Sequence, residues 1–117
     1  MAPVRRLRGR RAFADLAQRG RTVRSGPLRV RYLAASDGLF VGYAIGKKVG
    51  PAVVRNRIRR RLRAAVDQLD RRGGVLLPST AYLLSAGPEA ATCSFAELLT
   101  WVEGALCNAA TAAGHAP

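Results

Sequence analysis

Residues 47–66, KKVGPAVVRNRIRRRLRAAV, carry eight positive charges with no acid before Asp67. The chemistry open to such a segment is charge neutralisation of a polyanion rather than acid–base or metal catalysis. Gly50 and Pro51 read as the N-cap and first position of a helix, and Arg71, Arg72, Gly73 and Gly74 as its basic last turn and stop. The spacing predicts a helix from Pro51 to Arg72. Val54, Ile58, Leu62, Ala65 and Leu69 fall within about 80° of one another on its wheel and form an expected buried stripe. Arg55, Arg57, Arg59, Arg60, Arg61 and Arg63 take the remaining circumference. A solvated helix face normally mixes signs, because like charges at i,i+4 repel by a few tenths of a kcal/mol per pair. A bound polyanion relieves that repulsion.

Other chemistries lack their residues. His115, the one histidine, is the third residue from the end of the sequence. The seven acids are scattered, with no paired carboxylates spaced to hold two Mg²⁺ ions. Asp67 and Asp70 are expected to pair with Arg63 and Arg71. Lys47 and Lys48 precede a helix without the spacing of a P-loop. Cys93 and Cys107 have no second Cys or His at ligand spacing and read as reduced thiols.

The elements around the basic helix are those of one domain of 117 residues. All twenty Lys and Arg lie in residues 1–72 among four acids, a local charge of +16, whereas residues 73–117 carry −3. The first part is expected to bind and the second mainly to build. No apolar run reaches the length of a membrane span or signal sequence, which leads to the expectation of a cytoplasmic protein with no membrane partner. Residues 1–9 read as a flexible basic arm, 10–110 as the folded domain and 111–117 as a frayed tail. Phe13, Leu16 and Ala17 suggest a short helix over Arg10–Arg19. Leu28, Val30 and Tyr32 alternate with Arg29 and Arg31 as in a half-buried strand, and Ser36–Gly38 read as the turn of a hairpin. The return strand, Leu39 to Gly46, puts Leu39, Val41, Tyr43 and Ile45 on one face and Phe40, Gly42, Ala44 and Gly46 on the other. That second face is nearly bare; it either tucks under another backbone or admits an extended ligand. Thr80–Ala86 reads as an interior strand. Ser94 and Glu97 form a capping box for a last helix that buries Phe95, Leu98, Leu99, Val102 and Leu106. The fold class is α+β, a single sheet of about four strands with helices packed on it. The basic helix is expected to cross between two parallel strands.

The string from Lys47 to Val66, with Arg55-Asn56-Arg57 leading into a basic helix, closely resembles the signature of the bacterial ribonuclease P protein subunit. The similarity extends over roughly residues 7–110: an aromatic-bearing first helix ending in Arg19-Gly20, the VGYAIGKKVG approach, a late strand and a final helix opening Ser-Phe-Ala-Glu. The resemblance implies an αβββαβα order with a left-handed βαβ crossover. It also implies that catalysis of 5′-leader removal from precursor tRNA resides in the RNA subunit, which binds Mg²⁺, with one protein per RNA. Lys47, Lys48, Arg55, Asn56, Arg57, Arg59, Arg60, Arg61 and Arg63 are then expected to meet the catalytic RNA. Phe13, Ala17, Arg29, Arg31, Gly42, Ala44 and Gly46 are expected to line a cleft for the single-stranded leader. Ala17 and Arg31 replace aromatics common in the family, and Ala86-Gly87 stand where basic residues are usual. Such a cleft should grip by charge more than by stacking. The competing readings are a structural ribosomal-type RNA-binding protein, for which a basic helix suffices, and a protein-only nuclease, against which the missing carboxylate pair argues.

Overall fold

A computed structural model describes residues 4–114. The strands are β1 (Val4–Arg6), β2 (Arg21–Ser25), β3 (Leu28–Ala34), β4 (Leu39–Tyr43) and β5 (Thr80–Ala86); the helices are α1 (Arg10–Arg19), α2 (Ala52–Arg72) and α3 (Phe95–Ala112). One five-stranded mixed sheet runs in the order β1-β4-β5-β3-β2. The α+β class and helix-on-sheet arrangement are as read from the sequence, with one strand more than the four expected. Short 3-10 turns at Lys47–Val49 and Pro88–Ala91 lead into α2 and α3.

The alternation along β3, β4 and β5 divides the sheet into two faces. Leu28, Val30, Tyr32, Leu39, Val41, Tyr82 and Leu84 join Ile58, Leu62, Val66 and Leu69 of α2 and Leu98, Val102 and Leu106 of α3 in the main core. Burying each such aliphatic side chain contributes about 1.5–3 kcal/mol relative to exposure. Within α2 the expected stripe holds except that Val54 is only half-buried and Val66 joins it. Gly73, at φ 80°, ends α2 by donating its N–H to the carbonyls of Leu69 and Asp70. Pro51 is the N-cap, one place later than the Gly50 predicted.

The opposite face carries Arg29, Arg31, Phe40, Gly42, Leu83 and Ser85, and α1 covers only one end of it. There Leu7, Leu16 and Ala81 form a second small core with Phe13 and Phe40 packed against it.

Three expectations are corrected. Ser36–Gly38 does not close a hairpin, because β5 lies between β3 and β4, antiparallel to the first and parallel to the second. The strand TAYLLSA is apolar on both faces, so it gains most from the centre of the sheet. The hairpin of this fold is instead β2–β3, in which Ser25 pairs with Leu28 around Gly26-Pro27; Arg21–Ser25 had too little alternation to be read as a strand. The β4–α2–β5 crossover between parallel strands is as expected. Second, residues 4–6 of the expected flexible arm form an edge strand parallel to β4, and Leu7 donates its N–H to Val41 and is buried. Apolar Leu7, with nothing apolar near it in sequence beyond Val4, finds its partner across the sheet. Third, α3 continues to Ala112, into the segment expected to fray. Residues 1–3 and His115 lie outside the described residues.

Candidate nucleic-acid interface

The predicted binding residues divide by what their side chains already hold. Lys47, Lys48, Arg57 and Arg60 are exposed, and among the described residues none of the four makes a hydrogen bond or ion pair within the chain. Arg63 is exposed with its guanidinium 5.6 Å from the centre of the Tyr43 ring. Burial pushes the Tyr43 phenol well above its ordinary value; the Arg63 charge opposes that shift and Asp67 adds to it. Tyr43 is therefore a neutral ring at any working pH and holds the guanidinium by its face.

Arg55 and Arg61 are used internally. Arg55 Nε donates to the Gly50 carbonyl at 3.2 Å and fixes the entry to α2. Arg61 donates to the carbonyls of Ala90 and Cys93, pinning the segment before α3 onto α2. Unlike the four free cations, both already hold main-chain partners: two carbonyls of the Pro88–Cys93 segment point at α2, and Arg61 is the long fork-shaped donor within reach. The pairings expected of Asp67 and Asp70 are not formed either. Among the described residues, the ion pair present is Arg72–Glu103, at 3.5 Å, between α2 and α3.

Asn56 does not cap the helix. Its Oδ1 accepts from Arg59 Nη1 at 2.8 Å, one turn along α2. Arg59 in turn lines two depressions. The first, about 520 Å³, lies on the open sheet face between Arg29, Arg31, Ala44, Gly46, Leu83 and Ser85. Arg29 Nε donates to Ser85 Oγ at 3.4 Å there. The second, about 770 Å³, lies at the β1 edge and contains Phe13, Gly42, Tyr43, Arg63 and Asp67 together with Arg5, Arg6 and Arg8.

The expected cleft residues other than Ala17, which lines neither depression, are thus split between two compartments joined at Arg59. A Cβ on Gly42 would stand 3.0 Å from both Cβ and Cδ2 of Leu7, so this glycine admits a chain segment of the protein itself. β4 ends at Tyr43, short of the Gly46 expected, and at Gly46, just past the end of the strand, nothing stands within 4 Å and the surface is open to solvent. The bare face is thus filled by the chain itself at Gly42 and left open at Gly46, four residues on. Ala17 is exposed but contributes its carbonyl, which accepts from Arg31 Nη1 at 2.6 Å, with Leu16 O at 3.3 Å from the same nitrogen. Arg31 thereby caps the C-terminal end of α1, where a cation is favoured by the helix dipole. Phe13 is half-buried, with its ring shared between the small core and the second depression. Among the described residues no group of three His, Cys, Asp or Glu is placed to hold a metal ion, and no helix is long and apolar enough to cross a membrane.

A strip of unpaired cations thus adjoins an open, partly glycine-floored sheet face. The family model described as Ribonuclease P matches residues 1–110. The chain belongs to the ribonuclease P protein family. It is 46% identical over 97 residues to the ribonuclease P protein component of Thermus oshimai, covering 83% of this chain and 59% of that one. With the component from Acidothermus cellulolyticus it shares 45% over 103 residues, 84% of this chain and 82% of that one. The chain spans less than two thirds of the length of the Thermus relatives it matches. The ribonuclease P protein of Staphylococcus aureus superposes with a TM-score of 0.74 at 22% identity, over 89% of this chain and 94% of that one. That of Thermotoga maritima gives 0.75 at 19% identity, over 88% and 96%. At these identities the structural likeness establishes the ribonuclease P protein fold.

Within that fold, sequence reasoning missed six residues that line the two depressions. Leu83 and Ser85 of β5 read simply as interior strand, although their alternation with Tyr82 and Leu84 places them on the open face. Tyr43 reads as core because its partner Arg63 is twenty residues away. Arg5, Arg6 and Arg8 acquire fixed positions only through the edge pairing of β1.

The Asn56–Arg59 contact yields a prediction. Asn56→Ala should weaken binding of a leader-bearing RNA about threefold, the effect of an exposed net hydrogen bond of about 0.5–1 kcal/mol. Melting temperature and salt dependence should not change, since no charge is lost. Affinity equal to the parent chain would show that Asn56 does not orient Arg59 for binding.

Proposed function

We propose that this chain is the protein subunit of ribonuclease P, binding the catalytic RNA and the 5′ leader of precursor tRNA and promoting removal of the leader, with one protein per RNA. The observation that carries this reading is the set of four exposed, internally unpaired cations, Lys47, Lys48, Arg57 and Arg60, on the elements that also position Arg59 over the open sheet face. The exposed cations neutralise phosphates of the catalytic RNA. Arg29 and Arg59 line a groove whose floor at Ala44 and Gly46 is low enough for a single strand to lie against the sheet. Mg²⁺, held mainly by the RNA, would supply the hydrolytic chemistry, and this chain's residues supply charge and position.

If about five to eight phosphates are engaged, log affinity falls with log salt at a slope of roughly −4 to −7. The direct test is cleavage of a 5′-extended precursor tRNA by a bacterial ribonuclease P RNA at low Mg²⁺, with and without this chain, beside the chain alone. Leader removal that requires the RNA and is stimulated by the chain supports the subunit role. Tight RNA binding without stimulation, and without preference for a leader, would favour a structural RNA-binding protein instead.

A further inference from the structure

Helical spacing places Phe95 in the core, yet the residue is 37% exposed. Among the described residues it is the one exposed aromatic, the other six being buried or half-buried. It does not stand alone. With Arg57, Arg60, Arg61 and Ala64 it lines a groove of about 370 Å³ between the start of α3 and the flank of α2. Those four α2 residues follow the i, i+3, i+4, i+7 spacing of a single helix face, so the groove runs alongside the basic strip.

The ring is also held in place. Ser94 caps α3 by accepting the Glu97 N–H at 3.1 Å, which sets Phe95 as the first helical residue. Arg61 ties the preceding segment to α2 through the Ala90 and Cys93 carbonyls. Glu97, the one acid in the first turn of α3, turns back to the Ser94 hydroxyl at 3.4 Å. What remains facing the groove is an apolar ring flanked by the unpaired guanidiniums of Arg57 and Arg60.

A ring in such a setting suits a nucleotide better than a protein side chain. A protein partner would have to bring acids to meet both arginines and an apolar group for the ring. A single unpaired nucleotide offers both parts, since its base has a π-face and its phosphates are anionic. We infer that Phe95 is a stacking platform for one unpaired base of the catalytic RNA, with Arg57 and Arg60 holding the phosphates on either side of it. This rests on the subunit reading above and extends its RNA-binding surface from α2 onto α3. Arg61 is a positioning residue here: it fixes the platform against α2 without touching the RNA.

The test compares the parent chain, F95L, F95W and R60Q, measuring affinity for the ribonuclease P RNA across a salt series together with melting temperature. Stacking and charge separate cleanly in such a series. F95L should bind about 5- to 100-fold more weakly at every salt concentration with an unchanged slope, whereas R60Q should make the slope shallower by about one. F95W should bind at least as well as the parent, and the emission of its added indole should be quenched by RNA beyond any change of Trp101 in the parent chain. F95L binding like the parent, or F95W losing as much as F95L, would overturn the platform while leaving the subunit reading intact. Failure of the parent chain itself to bind the RNA would sink the subunit reading and the platform with it. A dimer of the parent chain dissolved by F95L would assign the ring to a second copy, and would equally overturn the proposal.

Discussion

Neutralising Lys47, Lys48, Arg57 and Arg60 together to glutamine should lower affinity for the ribonuclease P RNA by about a thousandfold at physiological salt. Each phosphate contact contributes a slope of about −0.7 to −0.9, which near 0.15 M salt corresponds to about 1 kcal/mol of counterion release. Four contacts therefore amount to about 4 kcal/mol, and the slope should become shallower by about three to four. The four side chains make no hydrogen bond or ion pair within the chain, so the folded state loses little with them. With net charge reduced from +13 to +9, self-repulsion falls, and the melting temperature should hold or rise slightly. Affinity curves over a salt series and a thermal melt check both halves. A variant that melts like the parent and binds RNA with the parent's slope would show that phosphates lie against some other surface.

Arg61→Ala is expected to do the reverse: to damage the fold and spare the electrostatics of binding. Removing the guanidinium leaves the Ala90 and Cys93 carbonyls without their donor at a part-buried junction of α2 with α3. Hydrogen bonds to a charged group contribute about 1.5–3 kcal/mol. For a domain of this size a loss of about 2 kcal/mol corresponds to a fall in melting temperature of about 8 °C. Arg61→Lys should recover only part of it, because a single ammonium cannot present the two-pronged donor that meets both carbonyls. The salt slope of RNA binding should match the parent in both variants. Thermal melts and a salt series suffice; an unchanged melting temperature with a slope shallower by about one would return Arg61 to the phosphate-binding set.

The contrast between Arg60 and Arg61 shows where the sequence stops being readable. Both are arginines on the polar arc of the same helix, and their spacing from the buried stripe differs by only one residue. Their roles diverge because Pro88–Cys93, some thirty residues downstream, lays two carbonyls beside one and not the other. Arg31 is a parallel case. Alternation correctly places it on the open face, but the carbonyls of Leu16 and Ala17 claim it once α1 docks there. Phe95 shows the same limit from the apolar side. Its spacing matches Leu98 and Val102, yet it occupies the first helical position, beyond the edge of what the sheet covers.

What the sequence determined alone is whatever depends on neighbours within a turn or two. The periodicity of Ile58, Leu62, Ala65 and Leu69 sets α2 and its buried face. The Ser94–Glu97 spacing sets the start of α3, and the strict alternation from Leu28 to Tyr32 sets the two faces of β3. The Lys47–Val66 motif likewise carried the family, and the charge imbalance between residues 1–72 and 73–117 is set by composition alone. The tertiary structure alone decided which strands are neighbours, placing β5 between β3 and β4 and tying Val4–Arg6 to the edge of β4. It also decided which cations remain free for a partner. Strand order and side-chain partnership depend on groups tens of residues apart, whose meeting is fixed by burial of both faces of β5 and by unmet main-chain carbonyls, and neither leaves a local pattern to read.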